Sequence, residues 1–292
     1  MRTFAVVATL GSFAEASRRL RLSPSAVTRS VADLEDRLGL TLLNRTTRSV
    51  KLTERGRIYL ESCQRILEDL DLAERQVRGE DATPRGVLMI SAPVVFGRLH
   101  VLPVVTRLLA TFADLDVRLT LSDRNAHLVE EGIDVAVRIG TLADSGLIAA
   151  RLGAVSRVLV AGPAYLMARG TPTTPAALAA HDIIAFEGVD ATNDWRFGDV
   201  AVRLEPRLTV NSADAAIAAA EQGAGVTRAL SYQVEDAIAA GRLIPVLEAF
   251  SAARLPVNAL YPARRAGSPN VAAFVKAARE RFRDSPLTAR GG

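Results

Sequence analysis

A chain of 292 residues, 49% of them apolar, is long enough for two or three domains with real cores. Its net charge of +4 is unevenly split: residues 1–57 carry 11 basic against 5 acidic side chains, and the rest carries 25 against 27. The lone Cys63 excludes an intrachain disulfide, no apolar run of the ~18–20 residues of a membrane helix is expected, and with no recognisable signal peptide the chain is expected in the cytoplasm, away from membranes.

A first helix is expected to start almost at once, at Arg2-Thr3-Phe4. Ser12-Phe13-Ala14-Glu15 reads as a capping box, after which Phe13, Ala16 and Leu20 fall on one helical face as core. Ser23 caps the next helix, and Pro24 sits in its first turn, where a missing N–H costs nothing. Val27, Val31, Leu34 and Leu38 form its buried stripe. The opposite face shows Ser25, Arg29, Ala32 and, at its edge, Thr28, residues that let a helix approach base edges closely. Asp33 and Asp36 come later, where phosphates repel them, so only the first two turns are expected in the groove. Gly39 ends this helix, and 40–52 reads as a tight hairpin with Arg45, Thr46, Thr47 and Arg48 near its tip and Lys51 following. Arginines there suit phosphates or the minor groove. Thr53 then caps a long helix. The layout is a winged helix-turn-helix over 1–57, with an expected DNA-contact set of Ser23, Ser25, Thr28, Arg29, Ala32, Arg45, Thr47, Arg48, Lys51 and Thr53. An ordinary solvated basic face is the alternative for the charge alone, and the motif favours double-stranded DNA.

From Glu54 to about Arg78 only Gly56 interrupts a helical pattern. Tyr59, Cys63, Ile66, Leu70, Ala73 and Val77 are spaced as a heptad seam, with polar residues on the other faces, which predicts a dimerising helix. Two heads held this way read an imperfect inverted repeat. Linker helix and hinge are placed over 58–86, with 79–86 (GEDATPRG) as the hinge.

Beyond it, strands are expected over 87–91, 117–121 and 134–139, and helices over 98–111 and 126–131. A second set follows: strands over 157–160, 183–186, 196–197 and 200–204, a helix over 213–222, and strands near 226 and over 243–246. The strand at 257–261 and a helix at 270–283 return to the first set. This alternation predicts α/β lobes with mostly parallel sheets.

The segments GSFAEASRRL, LSPSAVTRSVADLEDRLGLTLLNRTTRSVKLTERG, DVAVRIGTLADSGLIAARLG, VLVAGPAYLMARGTP and ALYPARRAGSPNVAAFV resemble the LysR-type transcriptional regulators over essentially the whole chain. Members usually carry several residues ahead of the position matching Met1, so either the start codon is set too late or the first helix is expected to be clipped. The resemblance implies a bilobed, periplasmic-binding-protein-like (type 2) α/β effector domain over 87–292. Lobe I is expected over 87–162 and 262–292 and lobe II over 163–261, with crossings near 162–163 and 261–262. It also implies a homodimer or homotetramer and a small-molecule effector whose identity is unknown. Open α/β sheets bind ligands at the carboxyl ends of strands. By resemblance the cleft is lined by Ser91, Ala92, Pro93, Arg138, Ile139, Gly140, Phe186, Asn211, Val226 and Thr227, with Ser91 and Arg138 suited to an anion. Arg228 stands where an apolar residue is more usual, and either the cleft or a subunit interface accommodates it.

An enzyme is not expected, nor a metal or cofactor. His100, His127 and His181 share no ligand spacing, and phosphate-loop, nucleophile-elbow and dinucleotide fingerprints are missing. Two other readings stay open: a solute-binding protein with a relic head, and an oligomeric architectural DNA-binding regulator without a ligand.

Overall fold

The computed structural model describes residues 1–45, 50–78, 83–124, 128, 131–141, 146–187, 194–198, 200–250 and 254–284, in two compact units, Met1–Ala82 and Thr83–Gly292. In the first unit, helix α1 (Arg2–Leu10) is followed by α2 (Phe13–Leu20), whose cap is the expected one: the Glu15 N–H donates to Ser12 Oγ at 3.2 Å. Helix α3 (Pro24–Leu38) is capped by Ser23 Oγ, which accepts from Ala26 N–H, and ends at Gly39 in the left-handed region. Strands β1 (Leu43–Arg45) and β2 (Val50–Leu52) pair antiparallel as the base of the wing. Helix α4 (Glu54–Arg78) follows. The core gathers Phe4, Val7, Ala16, Val27, Val31, Leu34, Leu42, Leu43 and Cys63, with Phe13 packed against it. Leu38, at the last turn, departs from the expected stripe: it is 36% exposed.

The second unit holds two five-stranded sheets. Strand β3 (Gly86–Ala92) leads into α5 (Val94–Phe96), a π-helical turn (Gly97–Val101) and α6 (Leu102–Thr111), so the single helix expected over 98–111 carries a π-bulge at its start. This stretch, Val94–Thr111, is apolar and long enough to pass as a membrane span by composition, which the sequence expectation did not foresee. Val95, Phe96, Val101, Val104, Val105 and Leu108 turn inward, making it a core helix. Next come β4 (Leu115–Leu121), β5 (Val135–Ile139) and β6 (Leu147–Val155). Of the helix expected over 126–131, only Leu128 and Glu131 are described, both in turns. Strand β7 (Arg157–Ala161), helix α7 (Pro163–Arg169), β8 (Ile183–Phe186) and the hairpin β9 (Asp194–Phe197) and β10 (Val200–Arg203) follow. The remainder is β11 (Pro206–Val210), α8 (Ala213–Glu221), β12 (Val226–Leu230), α9 (Ser231–Ala239), β13 (Ile244–Val246), β14 (Leu255–Pro262) and α10 (Pro269–Asp284).

The first sheet has the order β4-β3-β5-β14-β6 and the second β11-β8-β12-β7-β13. In each, one inserted strand runs antiparallel: β14 against β5 and β6, and β7 against β12 and β13. These are the two strands by which the chain enters a sheet from the other lobe. The pairing therefore moves the lobe limits expected at 162–163 and 261–262. Ser156 alone joins β6 to β7, and the return lies between Val246 and Leu255.

Candidate DNA-binding surface and effector cleft

On α3, Ser25, Thr28 and Arg29 are exposed, Ala32 is half-buried, and Val27 and Val31 hold the opposite face in the core. Thr28 Oγ1 donates to Pro24 O at 2.9 Å, and Ser23 Oγ lies 3.1 Å from Ser25 Oγ. Lys51 is exposed on β2, directly across from Asn44. Arg45 ends β1; Thr47 and Arg48 lie outside the described residues. Thr53, expected among the DNA contacts, has its hydroxyl committed elsewhere: it donates to Thr41 O (2.9 Å) and Leu42 O (3.2 Å) and accepts from Gly56 N–H (2.9 Å). It latches the wing to the start of α4.

The heptad stripe of α4 is divided. Cys63 is fully buried in the head core and Tyr59 packs there too, its ring 5.6 Å from Phe4. Burial raises the Cys63 thiol pKa, consistent with a packing role. Helix α1 covers this half of the helix, whereas Ile66 and Leu70 are 51% and 54% exposed. The side chains of Ala73 and Val77 lie outside the described residues.

In the second unit a cavity of about 150 Å³ is lined by Pro93, Ser122, Asp123, Arg124, Arg138 and Ile139 from the first lobe and by Arg157, Phe186, Leu230, Tyr232 and Gln233 from the second, with Leu255 at the return crossing. Four of the ten expected residues, Pro93, Arg138, Ile139 and Phe186, line it. Ser91 and Ala92 are fully buried behind them. Arg138 Nη2 donates to Ser91 Oγ at 3.3 Å and Nη1 to Val137 O at 3.0 Å, so Ser91 reaches the cavity only through Arg138. Burial lowers the Arg138 pKa. Gly140 takes φ +117 just past β5 and does not line the cavity. Asn211 is exposed elsewhere, with Ser212 Oγ capping α8. Val226 and Thr227 are corrections: both are fully buried inside the second sheet, where Thr227 Oγ1 donates to Ile184 O at 3.0 Å. Arg228 packs its guanidinium 4.9 Å above the Trp195 ring, under the β9–β10 hairpin, away from the cleft.

The lining residues that sequence reasoning missed had partial signals. Ser122, Asp123 and Arg124 follow the carboxyl end of β4, the same rule that pointed to Ser91 and Arg138. Tyr232 and Gln233 open α9, a helix not foreseen; Gln233 Oε1 accepts from Leu230 N–H at 2.8 Å. Burial, with Asp123 nearby, raises the Tyr232 pKa, so its hydroxyl stays protonated.

Matches to known proteins accord with this geometry. Residues 1–57 match the family described as bacterial regulatory helix-turn-helix protein, lysR family, and residues 81–283 match the LysR substrate binding domain. The chain belongs to the LysR family of transcriptional regulators. CrgA of Neisseria meningitidis is 34% identical over 94% of this chain and 93% of its own. The activator AaeR of Escherichia coli is 33% identical over 89% and 86%, and a transcriptional repressor of Pseudomonas aeruginosa 33% identical over 98% and 92%. Similarity at this level therefore does not fix the sign of regulation. The solved CrgA structure matches with TM-score 0.62 at 31% identity, covering 96% of this chain and 97% of that one.

In this LysR-type regulator the wall behind the cleft is aromatic. His100, on the π-helical turn, packs its ring at a tilt against Phe96 (4.8 Å) and edge-on against Tyr232 (5.4 Å) and Phe282 (6.0 Å). Burial, aided by the nearby Arg281 cation, depresses its pKa to about 4. The unfolded chain takes up this proton near pH 6.5, whereas the folded protein resists it until about pH 4. Stability is expected to fall as pH drops through that window. The melting temperature of His100→Gln should fall less steeply from pH 6.5 to 4, and identical slopes would exclude His100 as the source.

Proposed function

We propose that this LysR-type regulator binds an imperfect inverted repeat in double-stranded DNA and is controlled by a small anionic effector held between its two lobes. The observation that carries the reading is Arg138, half-buried beside a cavity of about 150 Å³, where its guanidinium donates to two neutral acceptors, Val137 O and Ser91 Oγ, with the charge of Glu131 nearby. A guanidinium has five N–H donors, which leaves several for a carboxylate-like ligand. The cavity is below the usual drug-sized range, which favours a compact metabolite. Ser25, Thr28 and Arg29 are assigned to the major groove, Lys51 and the wing residues Arg45 and Arg48 to phosphates, and the exposed Ile66 and Leu70 to a dimer seam. Pairing of effector domains then gives a tetramer. The effector acts by favouring one lobe arrangement, which resets the spacing of the heads.

The test uses the full chain. A DNA site is first enriched from a random duplex library, and binding is titrated at two salt concentrations. Arg29→Ala is expected to lose about 1–3 kcal/mol and to relax base discrimination. A metabolite panel read by thermal shift should yield acids that stabilise the wild type and not Arg138→Ala. DNA binding without any enriched site would reject the regulator reading. Specific DNA binding with acids that stabilise both proteins equally would reject the assigned cleft.

A further inference from the structure

Three elements of the head converge on residues 41–43. From α3, Glu35 Oε1 accepts from the N–H groups of both Leu42 (2.7 Å) and Leu43 (3.0 Å). From the start of α4, the Thr53 hydroxyl donates to Thr41 O and Leu42 O, while the Thr53 N–H donates to Leu42 O at 2.9 Å. Leu42 and Leu43 are 1% and 2% exposed, so these amides have no water to turn to. Leu43 opens β1, and its pairing with Leu52 fixes the register that sets Lys51 opposite Asn44. An acidic residue on a DNA-reading helix normally works against phosphate binding. Here Glu35 points its charge into two backbone amides, a charge-assisted arrangement about twice as strong as its neutral equivalent.

We infer that Glu35 is a positioning residue for DNA recognition: it fixes the wing, and with it Lys51, relative to the base-reading face of α3 through the amides of Leu42 and Leu43. The inference rests on the DNA-binding reading of the wing. A bond that served only general stability would leave DNA affinity intact at temperatures where the head stays folded. A positioning bond changes the benefit the wing cation brings and leaves that of Arg29, on the same helix as Glu35, unchanged.

The experiment is a pair of double-mutant cycles in the full chain, on the library-enriched duplex, well below the melting temperature of every variant. Glu35→Ala is expected to weaken binding on the order of tenfold. Lys51→Ala should cost several-fold in the wild-type chain and less than about twofold in the Glu35→Ala chain, while Arg29→Ala costs the same in both. Glu35→Gln, which keeps an acceptor without the charge, should recover part of the affinity, and it replaces Glu35→Ala in both cycles if that variant does not fold. Unchanged affinity in Glu35→Ala, or an equal cost of Lys51→Ala in both backgrounds, overturns the inference. So does a Lys51→Ala change without effect in the wild-type chain, because the wing contact is then absent. A wild-type chain that enriches no site would instead reject the DNA-binding reading itself.

Discussion

Alanine at position 56 is expected to lower the melting temperature of the DNA-binding unit by on the order of 10–20 °C while the effector-binding unit melts as before. A Cβ at Gly56 would stand 2.0 Å from Leu42 O, 2.9 Å from its carbonyl carbon and 3.2 Å from its Cα. All three are backbone atoms, so no side chain can rotate aside. Leu42 cannot withdraw cheaply either, since its carbonyl accepts from Thr53 and its N–H donates to Glu35. Overpacking a fixed site costs about 1–3 kcal/mol and here belongs at or above the upper end. Calorimetry of the full chain should show the head transition moved down and the other in place. An unmoved head transition would mean that the first turn of α4 shifts off residue 42 freely.

This site also shows what the sequence made legible. Caps and breakers act locally, so Ser12, Ser23, Gly39 and Thr53 mark their elements correctly from neighbouring residues alone. Gly56 looked like an interruption in a helix because the carbonyl that requires it lies fourteen residues away. Glu35 went unnoticed for the same reason: its partners are seven and eight positions on. Periodicity cannot say whether an apolar stripe faces its own chain or another: Tyr59 and Cys63, expected in the dimer seam, pack into the head core beside α1. In the effector unit, β6, α7, β11 and α9 were missed. Strand β11 alternates poorly on an exposed edge, and α9 follows β12 with no breaker between them. The cleft was legible where it lies at strand ends, as at Arg138, and illegible where it depends on the crossings. Arg157 and Leu255 line it because the chain changes sheets beside them.

Arg265→Met is expected to destabilise the effector-binding unit by about 3–5 kcal/mol. Arg265 Nε donates to Asp134 Oδ1 at 2.8 Å, and both side chains are less than a tenth exposed. Asp134 also joins β3 to the start of β5: its Oδ2 accepts from Met89 N–H, and its own N–H donates to Met89 O, each at 2.9 Å. Removing the guanidinium leaves a buried carboxylate without its cation, which costs more than the intact pair contributes. The double variant Arg265→Met, Asp134→Leu should therefore be more stable than Arg265→Met alone, despite losing the side-chain bond from Met89 N–H. Urea unfolding of the three proteins measures the difference, and a double variant weaker than the single would show that the Met89 bond outweighs the stranded charge. The consequence reaches function through the same strands. Ser91 lies two residues beyond Met89 on β3, and Arg138 four beyond Asp134 on β5, so the Asp134–Met89 bonds that the ion pair supports tie together the two strands that carry Ser91 and Arg138 at the cavity.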